Sequence, residues 1–261
     1  MRDFMKLQKL KTFDAQEHLT WTKLFGGLDR SRRFQAHPLF NQGIDALGID
    51  DRGVPDLVDV NKRLKALTGW EGVAVEGLEE NPTFFAGLAD RKFPIGNFIR
   101  DAADINYTPA PDIFHDLYGH LPLLADPEYA DFCFRMGQAA KPYLNQPDLL
   151  EQFGRLFWFG VEFPLVRLGG EKRIFGGGIL SSVGECDYCL GSKVDVVPFD
   201  VEEIRRRQYH IDDYQVKIYR LDRPEQLYKC LEEFVDGVRP LAASDELKPI
   251  RRISENLGAQ L

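Results

Sequence analysis

A chain of 261 residues with 44% hydrophobic and 28% charged side chains can bury one large core or two small ones, as an ordinary globular protein does. A net charge of −8 and a pI near 5.2 exclude the basic face that nucleic acid or an anionic membrane would require. No stretch approaches the roughly 20 apolar residues that span a bilayer, no apolar run follows the start Met1-Arg2-Asp3-Phe4-Met5-Lys6 as in a signal peptide, and four cysteines are too few for a disulfide scaffold; the expected location is the cytoplasm.

Residues 1–13 carry mixed charge and are expected to form a flexible N-terminal arm. Asp14-Ala15-Gln16-Glu17 has the pattern of a capping box and opens a helix with Leu19 and Trp21 that stops at Gly26-Gly27. His18, in its first turns, reads as solvated or packed. His37-Pro38 precedes a second helix through Leu47, with the proline at the first helical position. From Asp56, apolar Leu57, Val60, Leu64 and Leu67 recur at three and four residues, which predicts an amphipathic helix ending near Gly69.

Val73 and Val75 alternate with Ala74 and Glu76, predicting a short strand that ends at Gly77. Asn81-Pro82 starts a short helix with Phe84 and Phe85, and Asn97 to Arg100 reads as a second extended piece. Asp126-Pro127 opens a helix to about Lys141, and Gln146-Pro147 a longer one to about Phe163. The run Phe175-Gly176-Gly177-Gly178 reads as a loop permitting close backbone approach; it lacks the pattern of a phosphate-binding loop. Cys186-Asp187-Tyr188-Cys189 has no second such pair and no nearby histidine, so buried thiols are expected there. Asp200 with Glu203 caps another helix, Tyr214 to Leu221 alternates like a strand, and Pro224 begins a last helix with Leu227, Leu231, Phe234 and Val238 on one face. His210 sits in a charged connector with no evident partner. The expected fold is mostly α, a single domain over 14–240 with a few short β strands, followed by a C-terminal tail, 241–261.

The chemistry concentrates between Pro111 and Pro122, where two of the five histidines, His115 and His120, fall five positions apart. On a continuous α-helix five residues turn the chain by about 500°, leaving the rings roughly 140° apart. Both can reach one ligand only if the helix stops, as Gly119 and Pro122 would allow, or loosens into a π-bulge. A helix-end cap plus one core histidine is the other reading. Downstream, Glu162 stands alone in the apolar run Leu156-Phe157-Trp158-Phe159-Gly160-Val161-Glu162-Phe163. A buried carboxylate must be paired, protonated or bound to a cation, and a helix C-terminus makes that need sharper. Two imidazoles and a carboxylate are the donor set of a non-haem ferrous site with open positions; a salt bridge from Glu162 to a distant lysine or arginine is the alternative.

Three ordered motifs, Tyr107 to Leu124 (Y-T-P-A-P-D-I-F-H-D-L-Y-G-H-L-P-L-L), F-W-F-G-V-E-F and G-G-I-L-S-S-V-G-E, make the chain resemble the pterin-dependent aromatic amino acid hydroxylases, in particular the bacterial phenylalanine 4-monooxygenases. The resemblance runs from about Leu19 to Leu221. It implies an aromatic amino acid hydroxylase-like catalytic domain that hydroxylates L-phenylalanine to L-tyrosine with dioxygen. The implied cofactors are Fe(II) and a tetrahydropterin, tetrahydrobiopterin or another, as two-electron donor. His115, His120 and Glu162 become the implied metal and catalytic residues. Arg100 becomes the residue that holds the substrate carboxylate, with Asp112 orienting it and Thr108 at the same end. Trp158 becomes a wall of the amino acid pocket, Gly178 a close backbone approach and Ser181 a hydrogen bond to the first histidine. Phe84 would stack on the pterin, with Gly77 and Leu78 on the loop along it and Asp116 near the pterin and the metal.

Phe157 stands where the family often carries a tyrosine, and Asp116 is one methylene shorter than the glutamate of the animal enzymes. The chain has no room for their regulatory domain and little for their tetramerisation helix, so a monomer or weak homodimer is expected. Two other functions remain open at this point. A tryptophan hydroxylase would share the mechanism, and a zinc hydrolase would use the same three ligands, although no H-E-x-x-H pairs a general base with the histidines. A non-catalytic ligand-binding protein would be expected to have lost the triad.

Overall fold

A computed structural model describes residues 10–102, 105, 111–211 and 214–248. The chain opens with four helices, α1 (Ala15–Gly27), α2 (Asp29–Phe34), α3 (Pro38–Leu47) and α4 (Leu57–Thr68). Their ends follow from local chemistry. Asp14 accepts from the Glu17 N–H while the Glu17 carboxylate accepts from the Asp14 N–H, closing the capping box. His37 and Asp56 cap α3 and α4, which end at left-handed Gly48 and Gly69. Each side-chain cap is worth about 1 kcal/mol, small beside the burial of Trp21, Leu24, Phe40 and Leu64 beneath these helices. His18 is packed: its Nδ1 accepts from the Val54 N–H at 3.1 Å. Ahead of α1, the Lys11 N–H donates to Asn97 Oδ1 at 2.8 Å, tying the end of the expected arm to the domain.

Strand β1 (Glu71–Val75) pairs in parallel with β2 (Lys92–Gly96), with α5 (Asn81–Leu88) as the crossover. The second extended piece is therefore Lys92–Gly96, and Asn97–Arg100 form no strand. Pro94 masks the signal, yet a strand paired along one side only tolerates the missing N–H. The next element is a π-helical segment, π1 (Phe114–His120), which runs without interruption into α6 (Leu121–Leu124). Neither Gly119 nor Pro122 stops it. Pro122 sits in the first turn of α6, where its missing N–H is harmless.

Helix α7 (Pro127–Ala140) is followed by a 3₁₀ turn, Lys141–Tyr143, and by α8 (Pro147–Phe157), whose last turn widens into π2 (Trp158–Glu162). A hairpin of β3 (Leu165–Leu168) and β4 (Glu171–Ile174) turns through Gly169 and Gly170, both at positive φ (58° and 89°). That two-glycine loop is the sequence signal for this hairpin. The expected glycine-rich loop is only partly a loop, because α9 (Gly177–Leu180) begins inside it, followed by α10 (Val183–Cys189). Strand β5 (Asp195–Pro198), α11 (Val201–Arg206), β6 (Lys217–Leu221) and α12 (Gln226–Asp236) complete a four-stranded sheet of order β4-β3-β6-β5 and its cover. All four cysteines are free and buried. One continuous core joins these layers, with π1 and π2 facing each other near its middle.

Candidate metal centre

The two π segments solve the spacing problem posed by His115 and His120. Hydrogen bonding from i to i+5 brings residues five apart onto one face, and both rings turn the same way. Their Nε2 atoms lie 3.1 Å apart. In π2 the Phe163 N–H donates to the Trp158 carbonyl at 3.0 Å, again five residues back, and the widened turn swings Glu162 inward. Glu162 Oε1 lies 3.2 Å from His120 Nε2, and Oε2 lies 3.7 Å from His115 Nε2. One donor atom from each side chain falls within 4.8 Å of the other two.

The glycine run makes this convergence sterically possible. A methyl on Gly177 would sit 2.5 Å from His120 Cε1, and one on Gly119 would sit 2.7 Å from the Gly177 carbonyl oxygen. A methyl on Gly178 would sit 3.0 Å from Glu162 Oε2. On the other side, Phe93 stacks on the His120 ring at 4.8 Å between centroids.

Protonation states suit a cation. Burial pushes His115 down to about 4, so its ring is neutral near pH 7. Ser181 chooses the tautomer. Its hydroxyl donates to the Gly178 carbonyl at 3.1 Å, so toward His115 Nδ1, at 2.9 Å, it can only accept. His115 then carries its proton on Nδ1 and presents a lone pair at Nε2. Burial alone would raise the Glu162 pKa, but His120, His115 and the Gly178 N–H together outweigh it, and the carboxyl is held below its ordinary value. Glu162 Oε2 is buried with no hydrogen-bond partner among the described residues. A carboxylate oxygen left so beside the Nε2 lone pair of His115 is expensive unless a cation lies between them. These donors fit a metal, and no lysine or arginine takes the place of one at Glu162 among the described salt bridges.

Beside the three donors lies a cavity of about 190 Å³. His115, Asp116 and Glu162 mark its polar end, Phe84, Phe85, Phe93, Phe157 and Trp158 its walls, and Gly77 and Leu78 its rim. Phe84 meets Phe157 edge to face at 4.7 Å. Burial drives the Asp116 carboxyl well above its usual range, against the pull of the Gly96 N–H that Oδ2 accepts at 2.7 Å.

Arg100 and Asp112 do not line the cavity. They form a buried pair behind it, Nε and Nη2 each 2.8 Å from a carboxylate oxygen. Asp112 also accepts from the backbone N–H groups of Arg100 and His115, which fastens the pair to the start of π1. Burial would raise its pKa, but the bonds and charge of Arg100 prevail and keep it low. Thr108 lies outside the described residues.

Sequence reasoning missed Tyr209. Its ring stacks on Trp158 at 4.4 Å and 14°, and it lines the cavity from a connector that has no periodic pattern to betray it. Phe93 was hidden in the same way, inside the unrecognised strand β2.

Comparison with known proteins gives a consistent answer. A family model described as biopterin-dependent aromatic amino acid hydroxylase matches residues 4–243. The phenylalanine-4-hydroxylase of Caulobacter vibrioides is 38% identical over 221 residues, covering 84% of this chain and 75% of that protein. Its Chromobacterium violaceum counterpart is 37% identical over 227 residues, covering 87% and 76%. The crystal structure of the Chromobacterium violaceum enzyme with bound iron(III) and oxidised 7,8-dihydrobiopterin superposes with a TM-score of 0.83 at 35% identity, over 94% of this chain and 91% of that one.

Proposed function

The chain belongs to the biopterin-dependent aromatic amino acid hydroxylases, and from that premise we propose that it is a phenylalanine 4-monooxygenase, converting L-phenylalanine and dioxygen to L-tyrosine. The observation that carries the reading is the convergence of His115, His120 and Glu162 on one point at the head of an aromatic-walled cavity. Bound there, ferrous iron together with a tetrahydropterin supplies the electrons that split dioxygen, one oxygen atom going to the ring and the other to the pterin.

The protein's own share is binding, orientation and exclusion of water. His115, His120 and Glu162 hold the metal from one side and leave the side facing the cavity open to small molecules. Ser181 keeps His115 in its metal-binding tautomer. Phe84 and the Gly77-Leu78 rim offer a flat apolar slot for the pterin ring, and Asp116 presents a carboxyl that favours its protonated form at the metal end. Trp158 walls the ring of the amino acid, with Gly178 allowing close approach. Arg100, its Nε–Nη2 edge held by Asp112, takes the substrate carboxylate, a task in which the family resemblance joins Thr108 to it. Phe157 supplies an apolar ring where the family often carries a tyrosine, so a hydroxyl at this position is dispensable for holding the metal. The protein works in the cytoplasm as a monomer or weak homodimer.

The test is anaerobic loading with ferrous iron followed by oxygen uptake with phenylalanine and tetrahydrobiopterin. Tyrosine formation that needs both iron and pterin, and disappears in His120→Ala, is the expected result. Faster turnover of tryptophan would change the substrate assignment. Hydrolysis by the zinc-loaded protein without any oxygen uptake would overturn the reaction class.

A further inference from the structure

The segment 242–248, past the last helix, packs against the connector that carries Tyr209 into the wall of the cavity. The Leu247 N–H donates to the Arg206 carbonyl at 2.8 Å, and the Gln208 N–H donates to the Leu247 carbonyl at 3.0 Å, so the tail lies alongside residues 206–208. Between these bonds Glu246 reaches inward. Its Oε1 accepts from Arg155 Nη2 at 2.8 Å and its Oε2 accepts from Gln208 Nε2 at 2.7 Å. Arg155 is almost fully buried, and its remaining bond is from Nη1 to the Arg205 carbonyl at 3.0 Å. The nearest other carboxylate, Glu151, is 3.8 Å away from Nε.

Each partner of Glu246 sits just ahead of one member of the aromatic pair that walls the cavity. Arg155 is on α8, one turn before Trp158, and Gln208 immediately precedes Tyr209. The two rings stack in parallel, and the Trp158 indole N–H is held at its far edge by Gln215 Oε1 at 3.2 Å. A stacked pair of aromatic rings contributes modestly by itself, whereas a bridging carboxylate fixes both backbones that carry the rings.

We propose that Glu246 is a positioning residue: it clasps α8 to the connector at Gln208 and so sets the Tyr209–Trp158 wall that receives the amino acid side chain. The inference rests on the reading of Trp158 as that wall. It makes the C-terminal tail a working part of the site rather than an appendage.

The experiment compares wild type, Glu246→Ala, Glu246→Gln, Tyr209→Leu and the Glu246→Ala/Tyr209→Leu double variant, all iron-loaded. KM and kcat for phenylalanine are measured with the tyrosine formed per tetrahydropterin oxidised. Acrylamide quenching of Trp158 emission is read in the metal-free proteins, with a Trp158→Phe control to subtract Trp21 and Trp70. In Glu246→Ala the KM for phenylalanine should rise about threefold or more and coupling should fall, while the KM for pterin holds; in the Tyr209→Leu background the same change should add less than about twofold. Glu246→Gln, which retains an acceptor, should be intermediate, and Trp158 should become more quenchable in both. Unchanged KM and quenching in Glu246→Ala, or a full additive effect on top of Tyr209→Leu, would overturn the proposal. The quenching arm needs no turnover. A clasp that works in a protein that fails to hydroxylate phenylalanine would therefore sink the functional reading and leave the clasp standing.

Discussion

Ser181 acts on His115 through a bond whose direction is forced, because its one proton already goes to the Gly178 carbonyl. Ser181→Ala should therefore leave the fold intact and release the imidazole to either tautomer. Ferrous affinity is expected to weaken about 10- to 100-fold, measured by competition with a chelator. The Arg100–Asp112 pair is the other place where one atom decides much. Both side chains are buried, and Asp112 also holds two backbone N–H groups at the start of π1. Asp112→Asn removes the charge that balances a buried guanidinium. Denaturant unfolding should show a loss of about 3–5 kcal/mol, with a raised KM for phenylalanine in whatever folds. The candidate donor set His115, His120 and Glu162 was legible in the sequence because two histidines and a lone acid in an apolar run are conspicuous. Arg100, Asp112, Ser181 and Phe84 were reachable only through the family motifs, since their partners lie far away in sequence. Tyr209 was reachable by neither route.

At the scale of elements, the decisive feature is that the chain widens into π segments, Phe114–His120 and Trp158–Glu162, where the donors meet. The five-residue spacing of His115 and His120 left two solutions, a helix stop or a π segment, and packing chose the second. Gly119 is needed against Gly177 rather than as a terminator, so its presence misleads any reading from capping rules alone. Helices α1, α3, α4, α5, α7, α8, α11 and α12 were readable from caps and periodicity, as Asp14, Asp56, Asp126 and Asp200 attest, whereas α2, α6, α9 and α10 were not. Of the strands, β1 and β6 were read from their alternation, whereas β2, β3, β4 and β5 were not. Each is four or five residues long, and β2 carries a proline, so too few alternating positions exist to build a pattern. The tail is an element of the same kind, short and held by side chains. The hydrogen bond from Arg155, more than any other influence, lowers the Glu246 pKa. A carboxyl with a folded pKa below its unfolded one stabilises above the ordinary glutamate pKa, about 4.3, and that contribution is lost as pH falls through the depressed value. Glu246→Gln should thus lower the unfolding temperature at pH 7, and the gap to wild type should close in scans below about pH 4.

For the whole molecule, the π segments and the glycine run converge on a point that carries one carboxylate and two imidazoles. A cation bound there is bound only by the folded state, so iron should act as a folding ligand. At ferrous iron near 100 times its Kd the gain is about 2.7 kcal/mol, which for a domain of this size corresponds to roughly 5–10 °C in unfolding temperature. His120→Ala should show no such shift in an anaerobic thermal scan.

The most direct measurement is mass spectrometry of the product formed from phenylalanine under isotopically labelled dioxygen, with iron and tetrahydrobiopterin supplied. The account expects tyrosine with one heavy oxygen, placed at the para position, and none incorporated from labelled water. Tyrosine carrying oxygen from water, or no hydroxylated amino acid from correctly folded iron-loaded protein, would contradict it.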